Sequence, residues 1–253
     1  ADPAANQLLS DYEELLFLNS SPDEMVALPK TEKEGDLYDA VQIGDRTVWY
    51  PRPFVFKLQS DSDHPAAGTS RSVARALCLY DNAGEHFLPG GQSPNSPGTE
   101  HLVLSQALMF LFDPTQHPRI RAMCAGKTDD PQMDEHGWSH RQDQILFEAA
   151  NRIRARTGLA QNERYKRPLI IVVTKYDAWC SLNGGMPLLI KHVLKKSSSR
   201  VATLDMVRLR NISDHIRDIL TKYTPELTAA AENFSDDVIY IPAGQQHGIK
   251  NTG

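Results

Sequence analysis

The sequence predicts an α/β fold in which a mostly parallel sheet carries helices on both faces. Short, continuous apolar runs at residues 107–112 and 168–173 are typical of buried strands. Segments 142–156 and 205–223 have the apolar periodicity of amphipathic helices. Strands that alternate with helices, joined by right-handed crossovers, give a parallel sheet. Because ligands of such sheets bind at the carboxyl ends of the strands, the polar residues that follow each run are the candidates for a site.

Further elements are predicted on either side of this pattern. Residues 6–18 have an apolar stripe typical of a helix. Residues 47–58 form a β-rich stretch, in which Pro51 and Pro53 indicate either an edge strand or a break. The run at 76–80 indicates another buried strand. The remaining predicted elements are helices at 101–106, 186–195 and 224–234, a last strand at 238–241, and polar insertions at 19–46 and 114–140 within a single domain, 1–253.

Composition narrows the classes of partner and compartment. The net charge is −5 and is spread along the chain, which argues against nucleic acid or an anionic membrane surface as the main partner. No apolar run reaches the length of a membrane span. An odd number of cysteines without framework spacing favours a reducing compartment, so we expect a cytoplasmic protein. These cysteines are Cys78, Cys124 and Cys180.

The predicted strand at 76–80 is followed by Asp81-Asn82-Ala83-Gly84. An aspartate at a strand end can hold Mg²⁺, directly or through water, and Asp81 is the candidate metal ligand. Gly84 has no side chain, so its backbone N–H can approach a γ-phosphate closely. An ordinary turn is the alternative interpretation, because Asp, Asn and Gly all favour turns.

The β-branched strand is followed by Thr174-Lys175-Tyr176-Asp177. The Asp177 carboxylate can accept hydrogen bonds from the N1–H and 2-amino groups of guanine, a pair of donors that adenine lacks. The stem of Lys175 can lie along the plane of the base, and Thr174 can tie neighbouring loops together. The alternative is that Asp177 caps the helix that follows.

The last predicted strand is followed by Pro242-Ala243-Gly244, where a small residue lets a backbone N–H reach the guanine carbonyl oxygen. Ala243 is the candidate for this contact. Each motif is weak by itself, but together they follow successive predicted strands in one order. An apolar strand that ends in Asp113 comes between the first motif and Lys175. This order favours a common site over coincidence.

Four segments, at residues 77–87, 107–115, 170–179 and 238–244, resemble the P-loop GTPases of the TRAFAC class, and in particular the GTPase-like domains of bacterial double-GTPase proteins. The resemblance implies a P-loop GTPase-like fold and a guanine-nucleotide switch or GTP hydrolase that uses Mg²⁺. It implies that Asp81 is linked to Mg²⁺ and that Gly84 senses the γ-phosphate. It also implies that Lys175 and Asp177 read guanine while Ala243 supports the base.

The sequence departs from that family in three ways. No complete G-x-x-x-x-G-K-[ST] loop precedes Asp81, which we interpret as truncation; a domain that never had the loop is the alternative. Thr174 stands where Asn is commoner. Glu85 stands where many relatives carry Gln, and a carboxylate beside a γ-phosphate is unfavourable unless it is protonated or turned away. Slow or partner-dependent hydrolysis is therefore expected, with Glu85 and His86 as the candidate catalytic residues.

Two other functions stay open at this point. A GTPase-like scaffold without catalysis would keep the fold and act through protein contacts, and an adenine-nucleotide enzyme is a weaker option. For a nucleotide switch, we expect a protein partner to bind switch-like loops and the two polar insertions. The sequence 126–128, Gly-Lys-Thr, looks like the end of a phosphate-binding loop, but no buried strand runs directly into it.

Overall fold

Residues 3–18, 35, 37–58, 75–88, 100–128, 133, 141–184, 193–196 and 202–244 are the parts of the chain that the computed structural model describes. They belong to two compact units, residues 1–103 and 104–253. Each unit has strands and helices of its own, and the sheets of the two units differ in type.

The first unit is built from two antiparallel strand pairs and two helices. Strand β1 pairs with β2, and β3 pairs with β4. The bounds of these elements are α1 (Pro3–Phe17), β1 (Tyr38–Ile43), β2 (Arg46–Pro51), β3 (Pro53–Leu58), β4 (Arg75–Tyr80) and α2 (Glu100–Leu104).

A tight hairpin and a proline-flanked break organise this unit. Gly44 has φ +59°, and the two-residue turn that it begins brings β1 and β2 into register. Such hairpin turns require a positive φ, which glycine adopts without steric cost. Arg52 separates β2 from β3, and its N–H donates to the carbonyl of Leu37 at 2.7 Å. The break predicted at the two prolines is therefore confirmed, whereas β1 lies in a segment that was predicted to be a polar excursion.

The core of the first unit gathers around Tyr38. Leu37, Tyr38 and Ala83 are buried together, and Leu8, Trp49 and Phe54 pack against them. Asn6 anchors α1 to β3 because its side-chain amide exchanges two hydrogen bonds, of 3.2 and 3.3 Å, with the backbone of Val55.

The exposure of β4 differs from the sequence prediction. The run at 76–80 was expected to be buried on the strength of its apolar residues, but every residue of β4 is exposed. The described ladder of β4 runs along β3, whose own residues are only partly buried. Apolar composition thus correctly predicted a strand at this position but not its burial.

Among its described residues, the second unit has a three-stranded parallel sheet and five α-helices. Strand β6 lies in the centre, with β5 on one side and β9 on the other. A short antiparallel pair, β7 with β8, is separate from this sheet. The elements are β5 (Leu108–Phe112), α3 (Pro118–Cys124), α4 (Gln142–Thr157), β6 (Leu169–Val173), α5 (Tyr176–Trp179), β7 (Leu194–Lys196), β8 (Ala202–Leu204), α6 (Met206–Tyr223), α7 (Pro225–Phe234) and β9 (Val238–Pro242).

One face of the parallel sheet is the best-buried part of this unit. Ile171 and Val173 on β6 and Tyr240 on β9 lie on this face, and each is almost fully buried. The Tyr240 hydroxyl reaches Glu232 of α7, and its backbone N–H donates to Ser213 of α6. Fully burying an aliphatic side chain of this size contributes about 1.5–3 kcal/mol, so this layer stabilises the unit.

Local capping residues mark the start of α6, the start of α7 and the end of α4. The side chain of Asp205 caps α6 by accepting from the N–H groups of Val207 and Arg208. Pro225 stands in the first turn of α7, where its missing N–H costs nothing. Gly158 ends α4 with φ +70°, the left-handed conformation that glycine favours at this place.

Several sequence predictions need correction here. Only β5, β6 and β9 form a parallel sheet, and the other described strand pairs are antiparallel, so the expected mostly parallel sheet is confirmed for three strands. Helix α3 lies inside segment 114–140, which was predicted to be a polar insertion. Strand β7 occupies the end of the helix predicted at 186–195, and the earlier part of that helix lies outside the described residues.

Among the described residues, no helix combines the length and the apolar character that crossing a membrane would require. The longest helix, α6 with 18 residues, carries charged side chains on its solvent-facing side.

Candidate functional site

The carboxyl ends of β5, β6 and β9 meet at one edge of the parallel sheet. The residues that follow these strands are Asp113, Thr174 and Ala243. The strands are parallel and adjacent, so the residues after β6 and β9 lie at this one edge: Thr174, Lys175, Asp177 and Ala243. Backbone hydrogen bonds then fix their relative positions.

Lys175 crosses from the end of β6 to the end of β5. Its Nζ lies 3.2 Å from Oδ2 of Asp113 and 3.5 Å from Oγ1 of Thr115. Lys175 has φ +53°, which makes it the one non-glycine residue with a positive φ in the described ranges. A residue held in this conformation costs about 1–3 kcal/mol and persists where surrounding contacts determine it. Here the ion pair with Asp113 supplies such a contact.

Asp113 is held from two sides. Its Oδ1 accepts hydrogen bonds from the N–H of Thr115 at 2.9 Å and from the hydroxyl of Thr115 at 2.6 Å, which caps the short 3-10 turn Pro114–Gln116. The side-chain amide of Gln142, at the start of α4, bonds both the backbone N–H and the carbonyl of Asp113 at 2.9 Å. The sequence indicated Asp113 as a strand end but gave no reason to single out Thr115 or Gln142.

Thr174 ties the ends of β5 and β6 together. Its N–H and its hydroxyl both donate to the carbonyl of Phe112, at 2.8 and 3.1 Å. The carbonyl of Thr174 accepts from the indole N–H of Trp179 at 2.8 Å, and the Trp179 ring packs edge-on against Tyr176. Trp179 is almost fully buried, so the segment from Thr174 to Trp179 forms a rigid turn. Thr174 thus makes the cross-strand contact that the sequence predicted.

Asp177 is exposed at the rim of this turn. It is the second residue of α5, and the residue that precedes the helix is Lys175, so the alternative in which Asp177 caps the following helix does not hold. The backbone carbonyl of Asp177 accepts a hydrogen bond from the thiol of Cys180. Asp177 is thus exposed as a residue, while Oδ1 of its carboxylate lies against Gly244.

Ala243 links β9 to both β6 and α5. Its N–H donates to the carbonyl of Val173 at 2.8 Å, and its carbonyl accepts from the N–H of Tyr176 at 2.9 Å. The N–H that the sequence interpretation assigned to guanine is therefore engaged within the sheet. This arrangement brings the next residue, Gly244, against α5.

Gly244 lies in close contact with the start of α5. A Cβ atom added at Gly244 would lie 2.6 Å from Oδ1 of Asp177, 2.7 Å from the N of Tyr176 and 3.0 Å from the N of Asp177. Real Cβ atoms do not approach other atoms so closely, so only glycine fits here without a shift. The sequence interpretation missed Gly244 because its reason is a tertiary contact, and the letters Pro-Ala-Gly show only a small residue in a turn.

The other predicted residues, Asp81, Gly84, Glu85 and His86, belong to the first unit. Asp81 directly follows β4 and is exposed, and Gly84 begins the 3-10 turn Gly84–Phe87 with Glu85 as its second residue. The N–H of Ala83 donates to the hydroxyl of Tyr38 at 2.9 Å, which fixes this loop to the core. Burial raises the pKa of Tyr38, the bond from Ala83 lowers it, and the nearby negative charge of Asp81 raises it again.

His86 does not occupy a surface position. It is only 2% exposed, and its ring packs against the rings of Tyr38 and Phe87 at centroid distances of 5.3 and 6.4 Å. A side chain in this environment contributes to packing and has no open path to an attacking water. The catalytic role predicted for His86 from the sequence stays a prediction.

Two further features bear on phosphate and metal binding. Gly126 and Lys127 follow the end of α3, with the Lys127 N–H bonded to Cys124, whereas a phosphate-binding loop places its Lys and Thr at the start of a helix. Among the described residues, no three His, Cys, Asp or Glu side chains lie close enough together to hold a metal. The exposed carboxylate of Asp81 still fits Mg²⁺ that is held mainly by phosphates and water, which needs one or two carboxylates.

Comparison with protein-family models, with curated proteins and with solved structures gave no match to this chain. The functional interpretation therefore depends on the residues and their geometry.

Proposed function

We propose that this protein binds guanine nucleotides and that the edge formed by Asp177, Ala243 and Gly244 holds the base. The support is the close approach of the Asp177 carboxylate to the backbone of Gly244 at the carboxyl ends of β6 and β9. This is the edge at which parallel sheets bind ligands, and Asp177 is an exposed residue there.

The chemistry of a carboxylate at this position favours guanine over adenine. An ionised carboxylate only accepts hydrogen bonds, and guanine offers two adjacent donors, N1–H and the 2-amino group. Adenine presents an acceptor at N1, so it offers the Asp177 carboxylate no such pair of donors. A site built to bond a polar group rejects a ligand that lacks it by as much as about 10⁴–10⁵-fold, because buried polar groups are left unpaired.

Lys175 supports the base in this proposal through its stem. Its ammonium group is held by Asp113 and Thr115, so the four methylene groups extend across the space between the ends of β5 and β6. Lysine stems readily cover flat apolar surfaces while the charged head keeps polar partners. The Lys175 side chain thus offers an apolar support for one face of a purine.

Within the first unit, Asp81 and Gly84 stay the sequence-predicted candidates for contacts with Mg²⁺ and phosphate. Mg²⁺, when it is bound with the nucleotide, neutralises phosphate charge and is a Lewis acid. Asp81 would hold this ion, and the exposed Gly84 would allow its backbone N–H to approach the terminal phosphate. Hydrolysis of GTP would also require a phosphate-binding loop. Glu85 is the candidate residue beside the attacking water.

Calorimetric titration of the full-length protein with GDP, GTP, ADP and XDP tests this function. We expect binding of GDP and GTP and at least about 100-fold weaker binding of ADP. Asp177→Asn should lose about 10²-fold or more in GDP affinity and gain affinity for XDP, because the amide can donate to the 2-carbonyl of xanthine while its oxygen accepts from N1–H.

Asp214→Asn is a matched control, since it removes one negative charge from an exposed position on α6. Its GDP and XDP affinities should stay within about twofold of the wild-type values. Equal affinity for GDP and ADP in the wild-type protein, or an unchanged preference in Asp177→Asn, would contradict the proposal.

A second candidate is a protein-interaction scaffold, and the exposed face of β5 favours it. Met109 and Leu111 point to the same face of the parallel sheet and are each 61% exposed. Exposed apolar patches on a sheet are typical of interaction sites. Lack of any nucleotide binding, combined with retained folding and partner binding that Leu111→Asp abolishes, would favour the scaffold.

A further inference from the structure

We infer that Cys180 and Cys124 form an oxidation site, in which a hydroperoxide converts the two thiols into a reversible disulfide. This bond joins the end of α3 to the 3-10 turn Cys180–Asn183, which directly follows α5. The chemistry needs no nucleotide, so it stands or falls separately from the proposed function.

The two cysteines lie on elements that are in direct contact. Helix α3 packs against α5 and against the 3-10 turn Cys180–Asn183. The buried residues of α3 are Ile120 and Cys124, which lie about one helical turn apart and therefore on the same face of the helix. Cys124 is the last residue of α3, and Cys180 is the first residue of the turn. Both thiols are free in the structure.

The electrostatics of Cys124 agree with this placement. Burial raises the pKa of the Cys124 thiol, Lys127 lowers it, and a negative charge on Cys180 raises it again. The charge on one thiol changes the pKa of another only when the two sulfur atoms are near each other. The contact between the two elements thus extends to the thiols themselves.

The two thiols differ in their access to solvent. Cys124 is fully buried, whereas Cys180 is only partly buried. The Cys180 thiol donates to the backbone carbonyl of Asp177 at 3.4 Å, and this bond lies at the surface. A hydroperoxide therefore reaches Cys180 first, because both exposure and thiolate character favour oxidation. Cys124 is shielded from solvent but has Cys180 as its neighbour.

The reaction takes two steps. The Cys180 thiolate attacks the terminal oxygen of the hydroperoxide, the O–O bond breaks, and the sulfur becomes a sulfenic acid. The leaving alkoxide, or hydroxide for hydrogen peroxide, takes up the proton that Cys180 lost. The Cys124 thiolate then attacks the Cys180 sulfur, so that an S–S bond forms and the S–O bond breaks. The departing hydroxide takes the Cys124 proton and leaves as water. The two thiols lose two electrons, which the hydroperoxide gains.

Oxidation changes the turn that carries Asp177. The disulfide removes the S–H group that Cys180 donates to the Asp177 carbonyl, and it ties this turn covalently to α3. The oxidised protein therefore differs from the reduced protein by one hydrogen bond and one covalent link beside the carboxyl edge of the sheet. A dithiol reductant restores both thiols by exchange.

Peptide mapping of the full-length protein after treatment with hydrogen peroxide tests the inference. Once free thiols are blocked, trypsin releases Cys124 within residues 122–127 and Cys180 within residues 176–191. We expect these two peptides to be linked, in at least about 10-fold excess over any link to Cys78, because only cysteines with nearby Cα atoms can be bridged in the folded protein. Dithiothreitol should separate the peptides again, and oxidation in urea should remove the preference.

Single cysteine variants separate the two roles. Cys124→Ser should leave Cys180 as a sulfenic acid that dimedone traps, since the second thiol is missing. Cys180→Ser should leave Cys124 as a free thiol, because Cys124 is buried. Cys78→Ser is the matched control: it removes the exposed cysteine of β4, and its yield of linked peptide should stay within about twofold of the wild-type yield.

Two results would overturn the inference. One is the absence of the linked peptide from the folded protein, whether Cys180 stays a thiol or is oxidised to a sulfinic acid. The other is a yield of Cys124–Cys180 links that is no higher than that of links to Cys78. If Cys124→Ser does not fold, the Cys78→Ser protein decides, because it contains only the two cysteines of the site. A failure to bind GDP would contradict the proposed function and leave these results unaffected.

Discussion

Lys175 and Asp113 form an ion pair, with 3.2 Å between Nζ and Oδ2, that joins the carboxyl ends of β6 and β5. Both side chains are 23% exposed, so solvent screens the pair only in part. The same carboxylate caps the 3-10 turn through Thr115. One aspartate thus has two separable roles, which substitutions can distinguish.

Substitution of Asp113 should show both roles in stability measurements. Asp113→Asn keeps a side-chain oxygen for the cap but removes the charge, and we expect a loss of about 0.5–1.5 kcal/mol in the free energy of unfolding. Asp113→Ala also removes the cap and should cost about 1 kcal/mol more. Urea unfolding measures both values, and equal losses for the two variants would show that the cap contributes nothing.

The left-handed backbone at Lys175 gives a second stability prediction. Lys175→Ala removes the ion pair and keeps the positive φ, whereas Lys175→Gly removes the ion pair and also relieves the strain. We therefore expect the glycine variant to be more stable than the alanine variant by about 1 kcal/mol. This order is the reverse of that at most positions, where glycine destabilises relative to alanine.

The glycine and alanine variants of Lys222 serve as the control for those of Lys175. Lys222 lies in the last turn of α6 and has the helical conformation, so its glycine variant should be less stable than its alanine variant. If Lys175→Gly were also less stable than Lys175→Ala, the positive φ at Lys175 would not be a feature of the folded protein in solution.

The sequence predicted elements well where the pattern is local. The run at 168–173 is continuous and β-branched, and it forms the central strand β6 within one residue of the predicted bounds. The helices predicted at 142–156 and 205–223 from apolar periodicity are confirmed as α4 and α6, within one residue of the predicted bounds. Strand β1 was missed because its residues alternate weakly and lie next to a long polar segment.

The candidate site shows the limit of such reasoning more clearly. The order of the motifs along the chain was enough to predict a shared edge, because residues that follow adjacent parallel strands meet there. These residues are Thr174, Lys175, Asp177 and Ala243. The contact between Gly244 and Asp177 depends on how closely α5 packs on β9, which no local pattern encodes. The predicted meeting of Asp81 with Asp177 involves two separate units and stays a prediction.

Glu232 gives a prediction for stability against pH. Arg217 on α6 donates to both carboxylate oxygens of Glu232 on α7, and one of these bonds measures 2.9 Å. These bonds are the main reason that the pKa of Glu232 lies below its ordinary value of 4.5; burial opposes the shift, and a bond from the Tyr240 hydroxyl adds to it. The carboxylate form is thus favoured in the folded state.

The lowered pKa of Glu232 determines how the stability of the protein depends on pH. Because the folded pKa is lowered, the contribution of Glu232 is fully present above about pH 4.5 and is lost as the pH falls through the folded value. Glu232→Gln should be less stable than the wild-type protein at pH 7, and the difference should shrink as the pH falls below about 4.5. Urea midpoints across this range measure it, with Asp214→Asn as the control. A difference that stays constant with pH would contradict the prediction.

The cysteines should differ sharply in their reaction with a thiol reagent. Cys124 in α3 is fully buried, and burial raises the pKa of its thiol, an effect that Lys127 only partly offsets. The reactive species is the thiolate, so Cys124 is both shielded and protonated at pH 8. Cys78 on the exposed strand β4 lies open to solvent.

With Ellman's reagent at pH 8, we expect Cys78 to react at least about 100-fold faster than Cys124, because the reaction of Cys124 should require unfolding around α3. Cys78→Ser should therefore remove the fastest phase of the reaction, and Cys124→Ser should leave that phase unchanged. Loss of the fastest phase in Cys124→Ser would mean that α3 opens readily and does not pack stably beside α5.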